Sequence, residues 1–102
     1  MTALDSVTAP PLLDRRLELD PRVALRPEPF GALAYHYGNR KLTFLRHPDV
    51  VRVVRALADH DTLADTLRAC DIDPSRWPSF ERALASLTES EMLHERYEVA
   101  PG

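Results

Sequence analysis

The stretch LAYHYGNRKLTFL, residues 33–45, decides how this chain is read. Two short runs rich in Tyr, Leu and Phe flank a Gly-Asn pair. A two-residue loop at Gly38-Asn39 suits a type II′ turn, in which glycine supplies the positive φ. That turn pairs Tyr37 with Arg40, His36 with Lys41, Tyr35 with Leu42, Ala34 with Thr43, and Leu33 with Phe44. Leu33, Tyr35, Leu42 and Phe44 then share one face of the hairpin. Ala34, His36, Lys41 and Thr43 share the other. Strand side chains alternate with a period of two, so a slip of one residue would scramble this sorting, and the register is well specified.

Upstream, Val23 and Leu25 alternate with Ala24 and Arg26, which reads as a short strand. Pro27 and Pro29 are expected to end it, because proline cannot donate a ladder hydrogen bond. Residues 1–20 carry Pro10-Pro11, scattered charge and no sustained period. They read as a flexible N-terminal tail. Downstream, Pro48 suits a first helical position and Asp49 favours the positive end of the helix dipole. Val50, Val53, Val54 and Leu57 mark one helical face. A second helix follows in DTLADTLRAC, with Thr62 and Asp65 spaced like a capping box and Leu63, Thr66, Leu67 and Cys70 on one face. DIDPSRWP is a loop with one turn opened by Asp73-Pro74. In the third helix, Phe80, Ala83, Leu84 and Leu87 face the core, while Arg82, Ala85 and Glu89 face away. The chain closes on a short extended piece and a tail over 97–102. Strands followed by helices indicate an α+β fold.

The 102 residues suit one domain, read here as residues 21–96. Such a domain buries about 60% of its unfolded surface, or a little more. The net charge is −3, which disfavours a nucleic-acid binder. The single cysteine, Cys70, excludes an internal disulfide. No secretory signal pattern and no long apolar run is present, so a cytoplasmic chain with no membrane partner is expected.

No catalytic constellation can be assembled. Cys70 falls on an apolar helix face, where cysteine behaves as a small buried hydrophobe. There is no nucleophile elbow, and glycines at 31, 38 and 102 alone make no phosphate loop. The histidines are scattered at 36, 47, 60 and 94, without zinc-ligand spacing. DHDTLAD, with Asp59, His60, Asp61 and Asp65, reads as a solvated helix junction. Helices two and three with the extended piece after them have the order of a winged helix, which keeps a DNA-binding alternative in view. Against it, the third helix sets Arg82 beside Glu81 and Glu89, a poor surface for phosphates.

A small sheet also leaves an edge strand, and residues 41–45 are the candidate. An extended peptide can add to such an edge. Arg40, Lys41 and Arg46 at its ends would favour an acidic peptide, or act as gatekeeper charges against aggregation. A proline at Thr43 is expected to remove a donor from this edge.

At this point the residues carry a resemblance. RPEPFGALAYHYGNRKLTFLRHPDVVRVVRAL, residues 26–57, is similar to the mycofactocin biosynthesis chaperones, a branch of the PqqD-like peptide-recognition family of ribosomally made, post-translationally modified peptide pathways. TLADTLRAC and ALASLTESEMLHE match the looser PqqD-like pattern. The resemblance covers roughly residues 20–96, and Glu91 stands where relatives often have a glycine ending the third helix. It implies a winged helix–turn–helix-like fold, with an N-terminal three-stranded antiparallel sheet followed by three helices. It implies neither catalysis nor a cofactor. The family's ligand is the leader of a precursor peptide, added as a strand in the groove between the third strand and third helix. The peptide is then delivered to a radical S-adenosylmethionine (SAM) maturase. Carried onto this chain, the peptide-binding residues are Lys41, Leu42, Thr43, Phe44 and Leu45 on the strand. The helix contributes Arg82, Ala83, Leu84, Ser86 and Leu87.

Overall fold

The computed structural model describes residues 11–96. Its strands are β1 (Leu17–Leu19), β2 (Val23–Glu28), β3 (Gly31–His36), β4 (Leu42–Leu45) and β5 (Leu93–Glu95). Its helices are α1 (Pro48–Ala56), α2 (Leu63–Ala69) and α3 (Trp77–Glu89). β2, β3 and β4 form an antiparallel sheet with β3 in the centre, and the three helices complete the expected α+β fold.

The 33–45 hairpin has the register that alternation dictates: Leu33 opposite Phe44, Ala34 opposite Thr43, Tyr35 opposite Leu42. Its turn differs from the expected type II′. The loop is four residues, 37–40, closed by the Arg40 N–H on the His36 carbonyl at 2.8 Å and the His36 N–H on the Lys41 carbonyl at 3.0 Å. The positive φ belongs to Arg40, at 65°, not to Gly38. The buried His36 ring explains the longer loop. Its Nδ1 accepts the amides of Gly38 and Asn39 at 2.9 and 3.0 Å. Gly38 serves by being small: a Cβ there would lie 2.7 Å from His36 Cε1.

The face with the smaller side chains is the core face. Ala32, Ala34, His36 and Leu45 are buried, so α1 can come close to β3. Behind them lie Val53 and Val54 of α1, Leu57 just after it, Leu63 and Leu67 of α2, and Phe80, Leu84 and Leu87 of α3. Burying each of these large side chains stabilises the fold by about 1.5–3 kcal/mol. Ala83 is only half-buried, unlike its expected place in the core.

Two boundaries are corrected. β2 runs through Pro27, which sits opposite Ala32. Tyr37 N–H donates to the Arg22 carbonyl. By alternation, Ala24, Arg26 and Glu28 turn their main-chain groups toward β3, whereas Pro27 turns away. The missing N–H is therefore on the free edge, where proline is tolerated. The second correction concerns the N-terminal tail. Regular structure begins with a 3₁₀ turn at Leu12–Asp14, and β1 pairs with β5, Leu17 opposite Glu95 and Leu19 opposite Leu93. Residues 12–19 thus do not belong to the tail expected over 1–20, whose residues 1–10 lie outside the described residues, as does the expected tail 97–102.

Asp20 ties this second sheet to the first. Its carboxylate accepts the Arg22 amide at 2.8 Å and the Arg22 side chain at 3.1 Å, and His94 Nδ1 lies 3.3 Å away. The Arg22 hydrogen bonds hold the Asp20 carboxyl far below the usual range. His94 is shifted upward, first by its hydrogen bond to Glu18 at 2.5 Å and then by Asp20.

α2 opens as expected: Thr62 Oγ1 accepts the Asp65 N–H at 3.1 Å, while the Asp65 carboxylate instead pairs with Arg68. α2 and α3 end alike. Asp71 and Glu91 take positive φ, 59° and 67°, and the next residues, Ile72 and Met92, donate back to Leu67 and Leu87. This is the Schellman arrangement, with an acidic residue where glycine is usual. No helix of the described residues is long and apolar enough to cross a membrane.

Candidate functional site

Strand order decides which backbone groups are free. Among the described residues, β4 has β3 on one side and no strand on the other. His36 N–H donates to the Lys41 carbonyl. By alternation Lys41, Thr43 and Leu45 turn main-chain groups toward β3, while Leu42 and Phe44 turn theirs outward. The edge donors are thus the amides of Leu42 and Phe44. The Thr43 N–H faces Ala34, so a proline at Thr43 would break the sheet rather than blunt its edge. That expectation is corrected.

Beside this edge, α3 and the start of α1 leave a cleft. One part, about 290 Å³, is lined by Thr43, Phe44, Leu45, Arg46, His47, Val50, Ala83, Ser86 and Leu87. A second, about 320 Å³, continues it past His47, Val50 and Ala83 to Arg76, Ser79 and Phe80. The two share three lining residues and together run along α3. The small Ala83 and Ser86 open the space, and Val50, Leu87 and Leu45 make its floor apolar.

Six of the residues singled out from sequence therefore meet at one groove: Thr43, Phe44, Leu45, Ala83, Ser86 and Leu87. Leu84 does not reach it, being fully buried in the core one residue around the helix. Arg82 points to solvent, its guanidinium on Ser79 Oγ at 3.3 Å. Lys41 precedes β4, its amide held by Asn39 Oδ1 at 2.9 Å, and Leu42 contributes its edge amide from the strand's other face. Sequence reasoning missed His47, Val50, Arg76 and Phe80. Pro48 was the available signal: a helix starting there turns the chain at His47, directly off the end of β4.

The charge around the groove is mostly positive. Arg46 lies over the Phe44 ring at 5.5 Å, and Arg76 over Phe80 at 5.3 Å. Arg76 also pairs with Asp49 at 3.0 Å, and Arg52 and Arg76 together hold the Asp49 carboxyl below its ordinary value. Among the described residues no group of three or more His, Cys, Asp or Glu side chains is placed to hold a metal ion. Cys70 is buried, which pushes its thiol upward, away from the reactive thiolate.

The family model described as the peptide chaperone MftB family matches residues 16–94. This chain belongs to the MftB family. The match runs from β1 into β5, so it includes the whole groove. The peptide chaperone MftB of Mycobacterium ulcerans is 48% identical over 80 residues, 78% of this chain and 73% of that protein. MftB of Mycobacterium tuberculosis is 44% identical over the same shares. MftB of Mycolicibacterium smegmatis is 47% identical over 72 residues, 71% of each chain. No solved structure matches the chain. The MftB name is that of a peptide chaperone, not of a catalyst.

Proposed function

We propose that this chain is a non-catalytic peptide chaperone of mycofactocin biosynthesis. It takes the leader of the precursor peptide as an added strand on β4 and delivers it to a radical SAM maturase. The observation that carries this reading is the edge of β4, whose Leu42 and Phe44 amides face outward beside an apolar groove. Strand addition needs both parts. Main-chain hydrogen bonds fix the register, and pockets for alternate side chains give specificity. The leader's inward side chains would lie against Leu45, Val50, Ala83 and Leu87. The order of sheet and helices supports a winged helix–turn–helix-like plan, here used for a peptide and not for DNA. Holding the leader raises the effective concentration of the peptide's reactive end at the enzyme.

Arg40, Lys41 and Arg46 flank the edge and would steer an acidic leader, so binding weakens as salt rises. The test is a titration of labelled precursor peptide into the protein, with a scrambled leader as control. Saturable binding of the native leader and not of the scramble is expected. Equal binding of both would sink the reading.

A further inference from the structure

On the outer face of the three-stranded sheet, β2 carries the Arg26–Glu28 ion pair, but β3 and β4 carry apolar residues where a solvated sheet ordinarily carries polar ones. Leu33, Tyr35, Leu42 and Phe44 all point this way. Tyr37 is 66% exposed, and Leu42 and Phe44 are 52% exposed. The rings are arranged as a surface: Tyr35 meets Tyr37 edge-on at 5.0 Å, and Phe30 meets Phe44 likewise at 5.9 Å. Among the described residues no helix covers this face, and α1 packs on the opposite one. An uncovered aromatic patch of this kind marks an interaction site.

Charge says what covers it. Arg46, which lies over the Phe44 ring, and Arg40 in the hairpin loop stand at its rim, on a chain whose net charge is −3. Neither forms an ion pair among the described residues. A second copy would bring two such cationic rims together across a twofold axis. Carboxylates around an apolar centre complement them instead. We infer that this face docks a second protein through an apolar patch ringed by Asp and Glu, and that this protein is the maturase to which the leader is delivered. The inference rests on the proposed function. A leader strand on β4 would extend the same sheet by one strand, so the maturase meets chaperone and leader as one continuous surface. Leu33, Tyr35 and Tyr37 belong to the central strand and its loop, on the face away from Thr43, Leu45 and the groove. They can be changed without touching the leader site.

The test uses a Leu33→Thr, Tyr35→Thr, Tyr37→Thr variant, in which threonine preserves strand preference. Labelled precursor peptide and the purified maturase are each titrated into the wild type and the variant. The variant is expected to keep its leader affinity within about twofold and lose maturase affinity by about tenfold or more. Unchanged maturase affinity overturns the inference. So does an equal loss of leader affinity in a folded variant, which would place the face in the leader site. A wild-type dimer in sedimentation that the variant abolishes also overturns it, in favour of a second copy. Where the triple variant does not fold, Tyr37→Asp alone, on the exposed loop, goes through the same titrations. A wild type that binds no leader contradicts the proposed function itself, an outcome distinct from leader binding with an indifferent maturase.

Discussion

His36 is a histidine with a structural task. Its buried Nδ1 accepts two loop amides, which assigns the ring proton to Nε2, 3.9 Å from the Asp20 carboxylate. The adjacent Gly38 makes room for that ring. Gly38→Ala is therefore expected to destabilise the fold by about 1–3 kcal/mol, the cost of overpacking, as read by chemical denaturation. The lowered Asp20 and Asp49 carboxyls make stability depend on pH on the acid side, and His94 does so on the neutral-to-alkaline side. Its pKa is raised in the folded state by Glu18 and Asp20. The stabilisation is complete below about pH 6.5, the ordinary histidine value, and is lost as pH rises through the raised folded value. His94→Gln should flatten the decline in thermal midpoint above pH 6.5, and a decline as steep as the wild type's would assign it to another group.

At the scale of elements, the α2 and α3 ends each hold an acidic residue in the left-handed region. Asp71→Gly should raise stability by about 0.5–1 kcal/mol, because the left-handed cost exceeds the entropy glycine adds to the unfolded chain. A thermal melt reads this directly. The hairpin register was legible because Leu33, Tyr35, Leu42 and Phe44 repeat with period two. Its turn was not, since a two-residue template takes no account of the local bonds from the Gly38 and Asn39 amides to the His36 ring, which favour a four-residue loop. Pro27 misled the reading of β2 because a proline ends a strand only if its N–H would have faced a neighbour. β1 was hidden for another reason: Leu17 and Leu19 alternate for just three residues, and their partner, β5, lies at the far end of the chain. The helices were legible from their apolar spacing, yet that spacing alone does not say that Ala83 lines a groove while Leu84 is core.

Over the whole molecule, the sheet divides two surfaces with different jobs in this account. Its edge and helix side accommodate an extended peptide, and its outer face is left for a folded partner. The site was legible to the extent that an edge strand and a helix face can be read locally. Which side of β4 was free depended on strand order, and that order reassigned the edge donors from Thr43 to Leu42 and Phe44. Strand addition at this edge is the central claim, and the most direct measurement compares Phe44→Pro with Phe44→Ala. Both lose the ring, but only the proline loses the outward N–H. With both variants shown to be folded, labelled leader should bind Phe44→Pro about tenfold or more weakly than Phe44→Ala, the value of one hydrogen bond in an edge ladder. Equal affinity for the two would contradict the account, because the leader would then be held by side chains alone.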